Sequence, residues 1–212
     1  MLGDPRLAPG RSIAFDAGID QALASNRVRL SATYFYTRLQ EVVSFGDTPS
    51  DPFGRFGGFV NTGGGLARGV ELSGEFAPSR RFDLFASYTH TNSDQRRAAV
   101  VAGVLRAFAV ADHQFTLVAT GRIGSRVTVN FDLVASSDYL APIFDPVTFA
   151  NRAYRFDSIR KGDLTASYTL PLAESRRLRF FGKVENVFDR DYYENGFRTP
   201  GVQGRAGASF HF

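Results

Sequence analysis

The carboxy-terminal segment alternates strictly between apolar and polar side chains. From Gly204 onward the residues divide between two faces, with Ala206, Ala208, Phe210 and Phe212 on one and Arg205, Gly207, Ser209 and His211 on the other. A period of two is typical of a β-strand with one apolar face and one wet face. The same alternation recurs in every strand-like segment upstream, where the apolar positions are rich in Phe, Tyr, Leu and Val. This pattern predicts a β-barrel that spans a membrane, with the last segment as its closing strand.

Composition allows this interpretation and excludes membrane-spanning helices. The 212 residues are 43% hydrophobic and 22% charged, and no run approaches 18 apolar residues, which a transmembrane helix would need. A barrel strand places only every second residue against lipid, so a polar average is compatible with it. The length is compatible with a single all-β domain.

Cysteine and charge remove further classes of function. The chain has no cysteine, which excludes a disulfide framework and a thiolate metal site or nucleophile. The formal charge is +4, and the only lysines are Lys161 and Lys183. The arginines are scattered without a basic stripe, so no nucleic-acid partner is predicted. After Met1 there is no basic start and no apolar core, so no secretory signal peptide is visible.

Nine strands are expected, and the connections between them alternate in length. The strands begin at or near Ser12, Arg27, Gly69, Phe82, Phe115, Val127, Leu164, Leu178 and Gly204. Short turns are expected at 25–26, 78–80, 124–125 and 174–176, and long connections at about 39–68, 92–112, 137–160 and 189–203. This asymmetry is typical of outer-membrane barrels, whose short turns face the periplasm.

Two long connections contain segments that need their own interpretation. The first has room for a further short hairpin and contains Gly63, Gly64 and Gly65, which we interpret as a flexible loop. A nucleotide-binding loop is disfavoured because Arg68 interrupts the glycine pattern and no helix follows. The second contains the run AAVVAGV at 98–104, which is either a strand extension or part of a loop hairpin.

Three segments resemble one family. The stretch VENVFDRDYY at 184–193, followed by GFRTPG at 196–201 and a last strand that ends at Phe212, resembles the carboxy-terminal signature of TonB-dependent outer-membrane receptors. LAP at 7–9 with FDAGI at 15–19 is similar to the family's entry into a strand. NTG at 61–63 with ARGVE at 67–71 is similar to its return from an outer loop. Gly10-Arg11 stands where the family usually has an acidic residue.

The resemblance implies a fold that is larger than this chain. Nine strands would begin on the outer side and would leave edges open to lipid, whereas a plugged transporter barrel has 22 strands. We therefore expect residues 1–212 to be a carboxy-terminal antiparallel β-barrel segment that lacks the plug domain. A fragment of this kind is not expected to transport alone.

The resemblance also implies a function and partners. It implies an outer-membrane receptor for a ferric siderophore, cobalamin or similar scarce nutrient. The TonB-ExbB-ExbD complex would energise uptake through the missing amino-terminal part. The alternative is a small self-contained barrel that acts as a passive pore or structural protein. An outer-membrane enzyme is the least supported class, and we predict no enzymatic activity.

The resemblance and the wet faces of the strands give candidate sites. Phe210 and Phe212 are similar to the terminal aromatic signal of the barrel-assembly machinery. Aromatic and arginine side chains of the outer loops are candidate ligand contacts, although rim tyrosines also form lipid girdles: Tyr139, Arg152, Tyr154, Arg155, Tyr192, Tyr193 and Arg198. Inward charges are expected to face the lumen or plug: Glu71, Glu75, Asp132, Arg179, Lys183 and Glu185.

No catalytic, metal or cofactor site is predicted. The three histidines are His90, His113 and His211, and no two lie two or four residues apart, which are the spacings that place ligands on one face of a single strand or helix. The Gly-x-Ser-x-Gly motif of many hydrolases does not occur. Glu71 and Glu75 are better explained as lumen-facing charges than as a catalytic pair.

Overall fold

The computed structural model describes residues 7–47, 54, 57–95, 101, 103–172, 176–194 and 196–212. These residues are all-β, and no helix in them is long and apolar enough to cross a bilayer. The strands in chain order are β1 Arg11–Leu23, β2 Val28–Asp47, β3 Gly57–Gly63, β4 Gly65–Ser79, β5 Phe82–Gln95, β6 His113–Ile123, β7 Val127–Ser136, β8 Tyr139–Asp145, β9 Ala150–Phe156, β10 Ile159–Pro171, β11 Arg177–Glu185, β12 Tyr193–Glu194, β13 Phe197–Arg198 and β14 Gln203–His211.

One antiparallel sheet of ten strands forms the body of the molecule. Nine strands follow the order β1-β2-β4-β5-β6-β7-β10-β11-β14, and β3 pairs with β2 beside this path. The nine barrel strands predicted from the alternation are confirmed. Among the described residues β1 and β14 each pair on one side only, so the sheet is not closed.

The tight turns collect at one end of the sheet and the long connections at the other. The β1–β2 turn places Ala24, Ser25 and Asn26 in the left-handed region, with φ of 51°, 56° and 66°. Gly124 has φ of 61° in the β6–β7 turn. The hairpins β8–β9 and β12–β13 lie within two of the long connections. We refer to the two ends as the tight-turn end and the long-loop end.

The first long connection is much shorter than predicted. Strand β2 continues to Asp47, where its last residues pair with β3, and β4 already begins at Gly65. The expectation of a connection over residues 39–68 is therefore wrong for most of its length, although the further hairpin that it had room for is present as β2–β3. The alternation fades here because Val42 and Val43 are consecutive apolar residues, while the backbone ladder with β3 continues.

The glycine triplet is also not a flexible loop. Gly63 ends β3 and Gly65 begins β4. A Cβ atom at Gly64 would collide with the carbonyl oxygen of Leu39, and one at Gly65 with that of Asp94. Close approach of backbones therefore explains these glycines. The AAVVAGV segment lies mostly outside the described residues.

The sheet has no core of its own. The chain exposes 14724 Å², whereas a compact soluble protein of 23.3 kDa exposes about 9,700 Å². No large side chain among the described residues is fully buried. One face carries exposed apolar side chains that pair in register across strands, among them Ile13, Phe15, Ile19, Leu30, Tyr34, Val70 and Leu72. A single-layer sheet with such a face needs an apolar medium to cover it.

The close packing of β4 against β5 at Gly69 gives a prediction. A Cβ atom there would collide with the carbonyl oxygen of His90 and lie against the ring of Phe35. Gly69→Ala should therefore destabilise the folded sheet by about 1–3 kcal/mol. Gly121→Ala is the control, because no atom lies within 4 Å of its added Cβ. Urea unfolding of the micelle-folded protein measures both, and equal losses would contradict the packing argument.

Candidate functional site

A small aromatic core lies at the long-loop end. The rings of Tyr139 in β8 and Phe156 in β9 stack with centroids 5.2 Å apart. Both are buried, as is Ala111, and Ala141 and Ile159 pack against them. This cluster is the main buried hydrophobic group in the described part of the chain. The β8–β9 hairpin is therefore packed as in a soluble protein.

The same core joins three long connections. The hydroxyl of Tyr139 donates to the carbonyl oxygen of Tyr193 at 3.0 Å, and the rings of Phe156 and Tyr193 lie 6.2 Å apart. The amide of Ala109 donates to the carbonyl oxygen of Leu140 at 2.7 Å. The connections that follow β5, β7 and β11 thus form one surface, which we call the loop platform.

A network of ion pairs reinforces the loop platform. Asp138 Oδ2 accepts from Arg106 Nη1 at 3.0 Å and contacts Arg155 Nε at 3.0 Å. Arg106 also donates to the backbone carbonyl of Asp138 at 2.7 Å and contacts Asp112 at 3.2 Å. Hydrogen bonds from Arg106 and then Arg155 hold the pKa of Asp138 below its ordinary value. The network links the connection after β5 to the β8–β9 hairpin.

Two further ion pairs stay within single hairpins. Arg152 contacts Asp145 at 2.8 Å, and the pKa of Asp145 is lowered mainly by a hydrogen bond from the Val147 amide. Arg198 donates to both carboxylate oxygens of Asp191 at 2.8 and 2.9 Å, and this contact raises the pKa of Arg198. Both arginines are exposed, so each pair shapes its own hairpin and adds little stability.

The predicted ligand residues separate into buried and exposed groups. Tyr139 and Tyr192 are buried in the packing of the platform. Tyr154 and Tyr193 are exposed by 57% and 44%, and the Arg155 side chain by 71%. Tyr154 and Tyr193 both lie beside the ring of Phe156, whereas Arg155 follows Tyr154 in β9 and so points to the opposite face of that hairpin. We call these three exposed groups the platform rim. Arg152 and Arg198 pair within their own hairpins.

Asn186 organises the last connection, a role that was not predicted. It is 2% exposed and adopts φ of 53°. Its side-chain nitrogen donates to the carbonyl oxygens of Arg190 at 3.0 Å and Pro200 at 3.4 Å. Its backbone N–H donates to the Asp163 carboxylate at 3.0 Å. Nearby, Asp189 accepts from the Val202 amide at 2.9 Å. The signal was present in the VENVFD stretch, where an asparagine and an aspartate flank a strand end.

The six predicted inward charges lie on one face of the sheet. The strand register links Glu75 to Phe85, Phe85 to Val118 and Val118 to Asp132, and side chains paired in this way share a face. Alternation within the strands and the pairing with β14 place the remaining charges on that same face: Glu71, Arg179, Lys183 and Glu185. This charged face is opposite the apolar one.

Part of the charged face is a connected network. Lys183 Nζ contacts Asp163 at 3.1 Å and Glu185 at 2.8 Å, and Arg205 contacts Glu185 at 2.9 Å. These contacts run across β10, β11 and β14. Charges arranged in this way offer hydrogen bonds to a polar neighbour or to water.

A cavity opens at the long-loop end. It has a volume of about 420 Å³ and is lined largely by apolar groups from β2, β4 and the segment before β6, including Leu39, Val43, Leu66, Ala107 and Val110. Ser93 Oγ and Asp94 Oδ1 also lie there, buried and without a hydrogen-bond partner in the described part of the chain. Mostly apolar lining with a few unpaired polar atoms is typical of small-molecule sites.

Within the described ranges no group of three or more His, Cys, Asp or Glu side chains is placed to hold a metal ion.

Comparison with known families decides the family. The model of the TonB dependent receptor-like β-barrel matches residues 1–187. The chain belongs to the TonB-dependent receptor family. Members of this family are outer-membrane proteins of Gram-negative bacteria, and the chain is one of them. The predicted family, fold class and location are confirmed.

Solved structures share the fold at low sequence identity. The pyoverdine outer membrane receptor FpvA of Pseudomonas aeruginosa PAO1 superposes with a TM-score of 0.74 at 16% identity, over 96% of this chain and 30% of that one. The ferric-catecholate import receptor Fiu of Escherichia coli K12 gives 0.71 at 17%, over 97% and 28%. BauA, the ferric preacinetobactin receptor of Acinetobacter baumannii, gives 0.69 at 16%, over 96% and 30%.

The chain thus spans about three tenths of the length of these receptors. A comparison with curated protein sequences finds none that matches it.

The ion-pair network of the loop platform gives a prediction. Asp138→Asn removes the charge that Arg106 and Arg155 share, so the connection after β5 should undock more often. Because these ion pairs are partly exposed, we expect the free energy of undocking to fall by about 1 kcal/mol or less. The amide of Ala109 should therefore exchange with solvent up to about fivefold faster.

The control is Asp145→Asn, which breaks a pair inside one hairpin and should leave exchange at Ala109 unchanged. In the unsubstituted protein, Asp138 contributes fully to the stability of the docked platform above about pH 4, because the pKa of its carboxyl group is lowered on folding. This contribution is lost as the pH falls through that lowered pKa. Unchanged exchange in Asp138→Asn would show that the network does not hold the platform together.

Proposed function

We propose that this chain is part of the wall and outer recognition surface of a receptor that takes up a ferric siderophore. The observation that carries the proposal is the loop platform, in which three long connections pack together and expose the rim residues Tyr154, Arg155 and Tyr193. The family and the siderophore receptors among its structural neighbours support this substrate class over a cobalamin-like compound.

The chemistry of the rim suits such a ligand. Ferric siderophores are bulky and often carry aromatic or anionic groups around the iron. An arginine binds anionic oxygens through charge-assisted hydrogen bonds, and tyrosines supply large contact area with few rotatable bonds. The 420 Å³ cavity at the long-loop end adds a largely apolar recess, to which Ala107 and Val110 of the connection after β5 contribute.

We also propose how the chain fits into the whole receptor. Residues 1–212 form a barrel segment, and Glu71, Glu75, Asp132, Arg179, Lys183 and Glu185 face the lumen and plug. The plug and the contact with the TonB-ExbB-ExbD complex are assigned to a part of the receptor outside this sequence. The barrel binds and admits the ligand and catalyses no reaction.

Substitution on the platform rim tests the substrate class. In iron-starved cells that express the whole receptor, Tyr154→Ala and Arg155→Ala should each weaken binding of the cognate ferric siderophore by roughly tenfold. Val147→Ala, at the exposed hairpin tip, is the matched control and should bind normally. The measurement is radioactive iron uptake from a panel of ferric catecholates and hydroxamates, with cobalamin in parallel.

Three results would contradict the proposal. Uptake of cobalamin alone would assign the receptor to another substrate, and unchanged siderophore binding in both variants would move recognition away from this rim. Discrete conductance steps from the 212-residue chain in a planar bilayer would favour the passive pore.

We propose that Phe210 and Phe212 act as a signal for the barrel-assembly machinery before the strand meets lipid. Both rings are exposed, by 51% and 99%, and they stack 6.2 Å apart. They lie at the end of β14, whose outer edge is unpaired among the described residues. An open edge with adjacent aromatic rings offers both backbone pairing and an apolar contact.

Phe212→Ser should therefore reduce the amount of folded receptor in the outer membrane severalfold. Phe197→Ser removes another highly exposed aromatic ring, from an outer hairpin, and should leave that amount unchanged. Immunoblots of unheated and heated outer-membrane fractions separate folded from unfolded protein. Equal yields from the two variants would remove the assembly role.

A further inference from the structure

Two histidines that are far apart in sequence face each other at the long-loop end. His90 of β5 is directly opposite His113 of β6. In the next pair, the Thr91 amide donates to the Asp112 carbonyl oxygen at 2.8 Å, so His90 and His113 occupy the adjacent pair without mutual backbone hydrogen bonds. Side chains approach most closely at such pairs. The two rings are stacked, with centroids 4.7 Å apart and planes inclined by 23°.

Each ring already uses its Nδ1 atom. His90 Nδ1 lies 3.0 Å from the carbonyl oxygen of Asp112, and because a carbonyl only accepts, this nitrogen carries the hydrogen. The neutral His90 ring therefore has its lone pair on Nε2. His113 Nδ1 lies 2.7 Å from the hydroxyl of Tyr88. In the tautomer that carries the hydrogen on Nδ1, the hydroxyl accepts and the Nε2 lone pair of His113 is free. Neither Nε2 atom makes a hydrogen bond to another described residue.

This arrangement matches the requirements of a metal ligand pair. Histidines that bind metals usually donate the other ring N–H to a carbonyl or another oxygen, which fixes the tautomer and aims the free nitrogen. Imidazole nitrogens suit Zn²⁺, Ni²⁺ and Cu²⁺, and zinc–nitrogen distances of about 2.0–2.1 Å place two ligand nitrogens roughly 3–4 Å apart. The ring centroids are 4.7 Å apart, which puts both side chains within reach of one ion. Binding a common ion requires the rings to turn from their near-parallel arrangement until the two Nε2 lone pairs converge.

We propose that His90 and His113 form a site for a divalent transition-metal ion, bound through both Nε2 atoms, with water in the remaining positions. The site is separate from the proposed uptake route. His90 pairs with Val70 on the apolar face, whereas the neighbouring Glu71 is on the charged face. An ion held here would fasten β5 to β6 where the connection into the loop platform leaves the sheet.

The test uses the whole receptor, purified in detergent and stripped with a chelator, and the metal ions alone as probes. One Cu²⁺ per receptor should give an electron paramagnetic resonance spectrum with two nitrogen ligands from this site. Equilibrium dialysis should detect one Zn²⁺ bound at this site in the unsubstituted receptor. His90→Asn and His113→Asn should each lower the affinity for this ion by at least roughly tenfold. Tyr88→Phe removes only the partner of His113 Nδ1 and should weaken binding by roughly 10- to 100-fold.

His211→Asn is the matched control, because His211 lies on β14 on the charged face and should not affect this ion. If the histidine variants fail to fold, the unsubstituted receptor still provides the test. Zn²⁺ should protect His90 and His113, but not His211, from diethyl pyrocarbonate, as read by mass spectrometry. Equal modification of His90 and His113 with and without Zn²⁺, or retained binding in both folded variants, would overturn the proposal.

Discussion

The structure depends on the backbone ladder of one antiparallel sheet. Every interior strand bonds to two neighbours, and no large side chain among the described residues is fully buried. In a soluble protein, such a layer would need a second layer to cover its apolar face. In lipid the requirement is different, because the medium covers that face but leaves every backbone N–H and C=O to be satisfied within the protein. Along the nine-strand path of the described residues, the ladder meets that requirement except at the outer edges of β1 and β14.

The two faces and the long-loop end meet different physical conditions. The apolar face must match lipid, which only requires large hydrophobic side chains at alternate positions. The charged face holds its groups in pairs, as with Lys183 and Glu185, and so remains suited to a wet lumen. Packing of the kind found in soluble proteins is concentrated at the long-loop end, where Tyr139 and Phe156 stack and Asn186 holds the last turn.

Sequence periodicity predicted the parts of the fold that lipid constrains. Strand β7 was placed at Val127–Ser136, as observed, because one apolar and one polar face force strict alternation. The prediction failed for the far part of β2, where the adjacent apolar residues Val42 and Val43 break the alternation although the strand continues. The glycines at 63–65 were misassigned because sequence does not show which backbone lies beside them.

Candidate site residues were likewise predictable by type but not by position in space. Tyr154 and Arg155 were predicted by residue type, but only the fold shows that Tyr154 and Tyr193 both lie beside the ring of Phe156. The histidine pair was not predicted, because metal ligands were expected two or four residues apart in one segment. Strand register instead brings together His90 and His113, which are distant in sequence. Register depends on the whole sheet, so no local pattern contains it.

Tyr139, Phe156 and Arg106 join three connections into the loop platform. This also affects how other molecules would bind the platform from outside the cell. An antibody or a phage tail fibre that binds it would contact segments distant in sequence at the same time, so its epitope is conformational. Synthetic peptides copied from any one connection should be poor immunogens against the intact surface. Amino-acid changes that alter one connection must also preserve its contacts with the other two, so variation here is expected to be correlated among the three.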